Sequence, residues 1–168
     1  LPLGPVADAG PDQLVGVLAG MTARENVMLG RTFGSEPTSP ARAARDAEAL
    51  LARVGLSGRE DLVGAQLTYI DQKRVELARA LATRPRLLLL DEWLAGLNPT
   101  ELQVGIALIH QIRGEGITVL MVEHVMQAIR ALCDHVLVMN ACERIAEGSP
   151  DAVIGEPQVV TAYLGYDR

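Results

Sequence analysis

Four consecutive leucines, Leu87 to Leu90, run directly into Asp91 and Glu92. An unbroken apolar run of this length, bounded by polar residues, is the pattern of a strand covered on both faces, the usual condition in parallel sheets. Parallel strands need crossover connections, and those are normally helices. The segment therefore argues against an all-helical bundle and against a meander with one wet face. It predicts an α/β sheet. The two acids stand at the strand's carboxyl end, where open α/β sheets bind their ligands. An acid there can hold Mg²⁺ through water, and its neighbour can orient or deprotonate an attacking water. An acidic turn after a strand is the plainer alternative.

The flanking pattern agrees with this fold. Ile117 to Val122 reads as a second buried strand, Val136 to Met139 as a third and Arg144 to Glu147 as a fourth. Helical spacing fits Asp71 to Thr83, the stretch from Pro99 with Leu102, Ile106 and Ile109 on one face, and His124 to Cys133. Two short helices are predicted after Ser149 and Pro157. The front third differs. Residues 1–20, rich in Gly, Pro, Ala and Asp, read as irregular. Thr22-Ala23-Arg24-Glu25 is a capping-box pattern opening a short helix. Ser39-Pro40 opens another, with Ser39 as cap, Ala43, Ala47, Leu50 and Val54 on one face, and Gly55 at its end. Residues 56–70 read as loop. The predicted organisation is an irregular segment over 1–21, a helical subdomain over 22–84, and an α/β portion over 85–168.

Composition sets limits on function. The chain has 168 residues and a net charge of −6, which excludes nucleic-acid binding through bulk charge. No apolar run is long enough to span a bilayer, and no signal peptide stands at the front. Cys133 and Cys142 form no disulfide framework, so a reducing compartment is expected. With His135 they show no recognised metal-ligand spacing. His110 and the arginines Arg42, Arg45 and Arg53 read as solvated surface, and Trp93 as a packing residue. Of the fifteen cationic side chains only Lys73 is a lysine. A phosphate-cradling P-loop ends in Gly-Lys-Ser/Thr, and Lys73 lies between Gln72 and Arg74, so none is present in these residues.

The segment Leu67-Thr68-Tyr69-Ile70-Asp71-Gln72-Lys73-Arg74 through Ala78-Arg79-Ala80-Leu81 resembles the signature segment of ATP-binding cassette (ABC) ATPases, usually Leu-Ser-Gly-Gly-Gln before Gln-Arg and Ala-Arg-Ala-Leu. Tyr69 and Ile70 stand where that family has two glycines, and Asp71 where it has Gln. Other motifs follow in family order. Asp91-Glu92 is similar to the Walker B Asp and catalytic Glu, Ala95-Gly96-Leu97-Asn98 to the D-loop, and Glu123-His124 to the switch His. Gln13, nine residues before Thr22, stands where the Q-loop Gln is expected. Ile145 to Pro150 and the ending Glu156-Pro157 through Ala162-Tyr163-Leu164-Gly165 resemble ATP-binding subunits of branched-chain amino-acid importers.

The resemblance implies a partial three-layer P-loop NTPase fold with a helical subdomain. It implies ATP and Mg²⁺ as cofactors, with Asp91 on the metal, Glu92 polarising the attacking water and His124 on the γ-phosphate. Gln13, Thr68, Tyr69, Ile70, Asp71 and Asn98 would contact nucleotide. In this family two cassettes sandwich two ATP molecules, so a second ABC ATPase subunit, identical or related, is an expected partner. Transmembrane permease subunits are another, met through residues 22–66. The protein would then be cytoplasmic and peripheral on the inner face of the cell membrane, with no nucleic-acid partner. Ile70 is expected to crowd the γ-phosphate and Asp71, unless its charge is compensated, to repel it, weakening hydrolysis at that composite site. Lys73 is expected to reach a nucleotide held by another subunit. This chain alone, lacking a P-loop, should not hydrolyse ATP, and the missing lysine belongs upstream of Gln13. Two other readings stay open: a degenerate non-catalytic cassette or gene remnant, and a non-transport ABC ATPase acting on nucleic acid or ribosomes.

Overall fold

The helices of the front half are specified by their ends. A computed structural model describes residues 6–8, 16–34 and 36–164. Helix α1, Ala23–Phe33, starts on the expected capping box: Thr22 Oγ1 accepts from Glu25 N–H at 3.1 Å, and Glu25 Oε2 accepts from Thr22 N–H at 2.8 Å. Helix α2, Pro40–Arg53, has Ser39 at its N-cap, but the Ser39 hydroxyl makes no capping bond; only its carbonyl accepts, from Arg42 and Ala43. The end of α2 is as expected. Gly55 takes φ +80°, the Leu56 N–H donates to Leu51 O at 2.8 Å, and the Gly55 N–H to Ala52 O at 3.0 Å, a Schellman closure. The buried stripe of α2 is Ala43, Ala47 and Leu51, so Leu51 rather than Leu50 faces inward. Helix α3, Tyr69–Ala82, begins two residues earlier than the apolar spacing suggested, because Thr68 caps it. Helices α1, α2 and α3 pack on one another. Gly30 permits the α1–α3 approach: a Cβ there would lie 2.4 Å from the Arg79 carbonyl oxygen.

The sheet carries the leucine run at its centre. Strand β2, Leu87–Asp91, pairs in parallel with β1, Val6–Asp8, on one side and with β3, Thr118–Val122, on the other. β1 corrects the expectation of an irregular segment over 1–20. Leu88 and Leu90 are fully buried, with Leu87 and Leu89 partly so. β3 departs from a strand covered on both faces. Leu120 is 59% and Val122 62% exposed, because β3 borders only β2 among the described residues and one of its faces is open. Helix α4, Pro99–Gly114, connects β2 to β3 and buries Leu102, Ile106 and Ile109 as its spacing predicted.

The chain divides into two compact units, residues 1–122 and 123–168. The second contains helix α5, Met126–Leu132, then β4, Val136–Asn140, and β5, Glu143–Gly148. β4 and β5 form an antiparallel hairpin, not further parallel strands. Its two-residue turn, Ala141-Cys142, takes φ of +47° and +66°, the left-handed pair a tight hairpin requires. The short helices α6, Pro150–Ile154, and α7, Pro157–Val159, pack against this hairpin, each opening on a proline.

Candidate functional site

The turn after β2 fixes the two acids. Asp91 is the last residue of the strand, opposite Val122, and its side chain is exposed. Glu92 leaves the strand with φ +46°, a left-handed conformation that costs a non-glycine residue about 1 kcal/mol or more. Its N–H donates to Val122 O at 2.8 Å, and its carbonyl accepts from Ala95 N–H at 3.0 Å. Trp93 and Leu94 then turn inward, each 1% exposed. Trp93 is thus the packing residue its sequence context suggested. Gly96, at φ +76°, carries the chain on to Asn98. Asn98 Oδ1 accepts from the N–H groups of Thr100 and Glu101, both at 3.0 Å, and Glu101 Oε2 accepts from Asn98 N–H. Its carbonyl end is therefore engaged as the cap of α4.

The signature segment lies beside this turn. The position a Cβ would take on Gly96 is 3.9 Å from the Tyr69 ring, so the first turn of α3 meets the segment 95–98. Thr68 and Tyr69 are exposed and Ile70 is half-buried. Asp71 is turned into the protein, with its side chain 3% exposed. Thr68 Oγ1 donates to its carboxylate at 2.8 Å, Arg74 pairs with it at 3.3 Å, and Arg59 forms a further ion pair. Two cations and a hydroxyl neutralise this charge, so the expected repulsion of a phosphate by Asp71 loses its physical basis. Gln72 is also used internally: its Nε2 donates to the carbonyls of Gly64, at 3.0 Å, and Leu67.

Lys73 overturns its sequence reading. Instead of pointing toward another subunit it is 3% exposed, and its Nζ donates to Glu92 O at 3.1 Å and Trp93 O at 2.9 Å. The ammonium also lies 5.1 Å from the Tyr69 ring centroid. Trp93 Nε1 donates back to Lys73 O at 3.2 Å. Neither Arg59 nor Asn26 was singled out as functional from sequence. Asn26 is fully buried; its Oδ1 accepts from Leu18 N–H at 2.8 Å, and its Nδ2 donates to the carbonyls of Leu18, Met21 and Thr22. It pins the strip from Leu18 to Thr22 onto α1. No spacing rule signals such a residue; a lone Asn on a helix face reads as solvated.

The other candidates fall elsewhere. Gln13 lies outside the described residues. His124 is the second residue of the second unit and is exposed, with its N–H and that of Val125 directed at Glu123 Oε2, at 3.2 and 3.4 Å. In that unit Glu147 accepts from His135 at 3.0 Å and pairs with Arg144; the His135 hydrogen bond first, then Arg144, hold its carboxyl below the ordinary value of 4.5. Among the described residues no group of three His, Cys, Asp or Glu side chains could hold a metal ion by itself. Asp91 and Glu92 nonetheless offer adjacent, exposed carboxylate oxygens, the donor type Mg²⁺ takes when substrate phosphates and water fill its other positions.

The first unit therefore gathers the acids, the first turn of α3 and the segment 95–98 at one place. Comparison with known proteins agrees. The ABC transporter family profile matches residues 11–95, just over half of the chain. A profile for the branched-chain amino acid ATP-binding cassette transporter matches residues 143–168. The high-affinity branched-chain amino acid transport ATP-binding protein BraF of Pseudomonas aeruginosa is 45% identical over 100 residues, 59% of this chain and 39% of its own. The corresponding LivG of Salmonella typhimurium is 34% identical over 159 residues, 86% of this chain and 62% of its own. The chain thus spans about two fifths to three fifths of the length of these curated relatives. Among solved structures, the ADP conformation of an ATP-binding cassette of an ABC transporter superposes with a TM-score of 0.78 at 27% identity, over 95% of this chain and 68% of that one. The expected partial P-loop NTPase fold is therefore the observed one, and the chain belongs to the ABC transporter family.

Proposed function

We propose that these residues serve in the ATP-hydrolysing subunit of an importer for branched-chain or other hydrophobic amino acids. One observation carries the reading most: Asp91 and Glu92 stand exposed and adjacent at the carboxyl end of the central parallel strand, on a backbone pinned from both sides. The relatives named as branched-chain amino-acid transport proteins supply the solute class. Hydrolysis also requires a phosphate-cradling loop, which these residues do not contain, so the proposal concerns a longer protein that supplies one.

Within it, Asp91 would hold Mg²⁺, which neutralises phosphate charge when bound. Glu92 is held at the strand end, where its carboxylate can orient a water and accept its proton. His124 would contact the γ-phosphate, and Gln13 would complete the site. Thr68, Tyr69, Ile70 and the N–H groups of the first turn of α3 would face the nucleotide of a second cassette. Asp71 shapes that turn from beneath, and Asn98 fixes the start of α4 beside it. The remaining obstacle to a close phosphate approach is steric: Ile70 is β-branched where a glycine would leave room. A permease subunit would dock on the helical region within residues 22–66, placing the protein at the inner face of the cell membrane. Its acidic balance offers nothing to nucleic acid.

The test is Glu92→Gln in the intact cassette. ATP binding should persist while turnover falls to background, measured by equilibrium binding and phosphate release. Turnover near that of the parent would overturn the assignment of Glu92.

A further inference from the structure

We infer that Lys73 is a positioning residue for Glu92, tying the signature helix to the backbone of the turn that carries the acid; this rests on the reading of Glu92 given above. Glu92 sits at φ +46°, where a non-glycine residue stays only if its surroundings over-determine it. The bonds that do so are divided between two sources. On the amino side, Glu92 N–H is held by Val122 O of β3. On the carboxyl side, Glu92 O accepts from Ala95 N–H and from Lys73 Nζ, and Lys73 Nζ also holds Trp93 O. With both peptide planes beside its Cα fixed, the Cα–Cβ direction of Glu92 is fixed as well.

Lys73 is a charged tether between this turn and α3, and it is reciprocated. Trp93 Nε1 donates to Lys73 O, so helix and turn are joined by bonds running both ways. Among the described residues, the buried ammonium is directed at two carbonyl oxygens and an aromatic face rather than at a carboxylate. A lysine with those partners compensates its desolvation through the backbone it holds. A surface lysine or a simple ion pair would place no constraint on the Glu92 peptide. Tyr69, whose ring faces the ammonium, also lies against Gly96, so a change in the first turn of α3 reaches the same tether.

The experiment uses the intact cassette with steady-state ATPase kinetics. Lys73→Met keeps the side-chain length and apolar stem but removes the donors. It should lower kcat by about 10-fold or more with KM for ATP within about two-fold, since loss of alignment at a reacting group costs rate rather than binding. Lys73→Arg, which can still donate to both carbonyls, should recover kcat to within about three-fold. A parental kcat in Lys73→Met overturns the inference, as does a fall in which KM rises in proportion or which Arg fails to rescue. If Lys73→Met does not fold, Trp93→Phe decides: it deletes the reciprocal N–H and keeps a ring in place. A lower kcat at unchanged KM supports the tether, and an unchanged kcat overturns it. Glu92→Gln run in parallel separates the two readings. Its retained turnover sinks the role of Glu92 itself, whereas its inactivity beside a fully active Lys73→Met sinks only the positioning.

Discussion

Asp71→Ala tests whether the signature turn is built around a neutralised carboxylate or presents a bare one to a nucleotide. The carboxylate is 3% exposed and takes a hydrogen bond from Thr68 Oγ1 and ion pairs from Arg59 and Arg74. Removing one member of a fully buried ion pair costs about 3–5 kcal/mol. That is an upper bound here, because Arg59 is 50% and Arg74 18% exposed, so both stranded cations can rehydrate. The Arg59 pair is therefore worth at most about 1 kcal/mol. The better buried bonds to Thr68 and Arg74 are worth about 1.5 kcal/mol together after the same discount. As the third residue of α3, Asp71 also complements the helix dipole by about 0.5 kcal/mol. The expected loss is about 2–3 kcal/mol, a large fraction of a typical 5–15 kcal/mol. Urea denaturation followed through Trp93, the one tryptophan, should show a lower midpoint at an unchanged slope. Asp71→Asn, which keeps an acceptor for Thr68 but no charge, should lose about half as much. Added salt should narrow the gap between Asp71→Asn and the parent, through the half-exposed Arg59. A loss below about 0.5 kcal/mol for Asp71→Ala would refute the reasoning. It would mean that the carboxylate faces outward and that its repulsion of phosphate has to be reinstated.

Two further substitutions test the scaffold. Gly30→Ala should gain about 1 kcal/mol of helix propensity, yet its methyl would sit 2.4 Å from the Arg79 carbonyl oxygen and 2.8 Å from Ala82 Cβ. Overpacking against backbone costs about 1–3 kcal/mol, so thermal denaturation should show a Tm lower by a few degrees; an equal or higher Tm would contradict the α1–α3 contact. His135→Ala should raise the Glu147 carboxyl toward its ordinary 4.5, because the His135 bond is the first cause of its lowering. A lowered folded value means the contribution is full above 4.5 and is lost as pH falls through the folded value. A carboxyl-carbon NMR titration reads it directly, and an unmoved Glu147 midpoint would reject the pairing.

The elements that were legible in sequence are those whose signal is local. The Thr22–Glu25 box, the Gly55 closure and the stripe of Leu102, Ile106 and Ile109 each depend on residues within a turn or two, and each is present. The misread elements depend on what stands beside them. Ile117 to Val122 has the composition of a doubly covered strand, but cover is a property of neighbours, and β3 borders only β2 among the described residues. β4 was assigned to a parallel sheet by rhythm, while its true partner, β5, is the next segment across a two-residue turn. The site divides in the same way. The place of Asp91 and Glu92 at the end of a central strand was legible because the acids and the strand are both written in adjacent residues. The compensation of Asp71 went unseen because its Arg59 partner is twelve residues away in a loop of no pattern. Lys73 drew notice by composition, as the only lysine and so as evidence of a loop that was not there. Its actual bonds go to carbonyl oxygens nineteen and twenty residues on, and backbone acceptors leave no trace in side-chain identity. Candidate residues for chemistry can be picked out by type, whereas a side chain that holds a backbone is recognisable only once that backbone has a position.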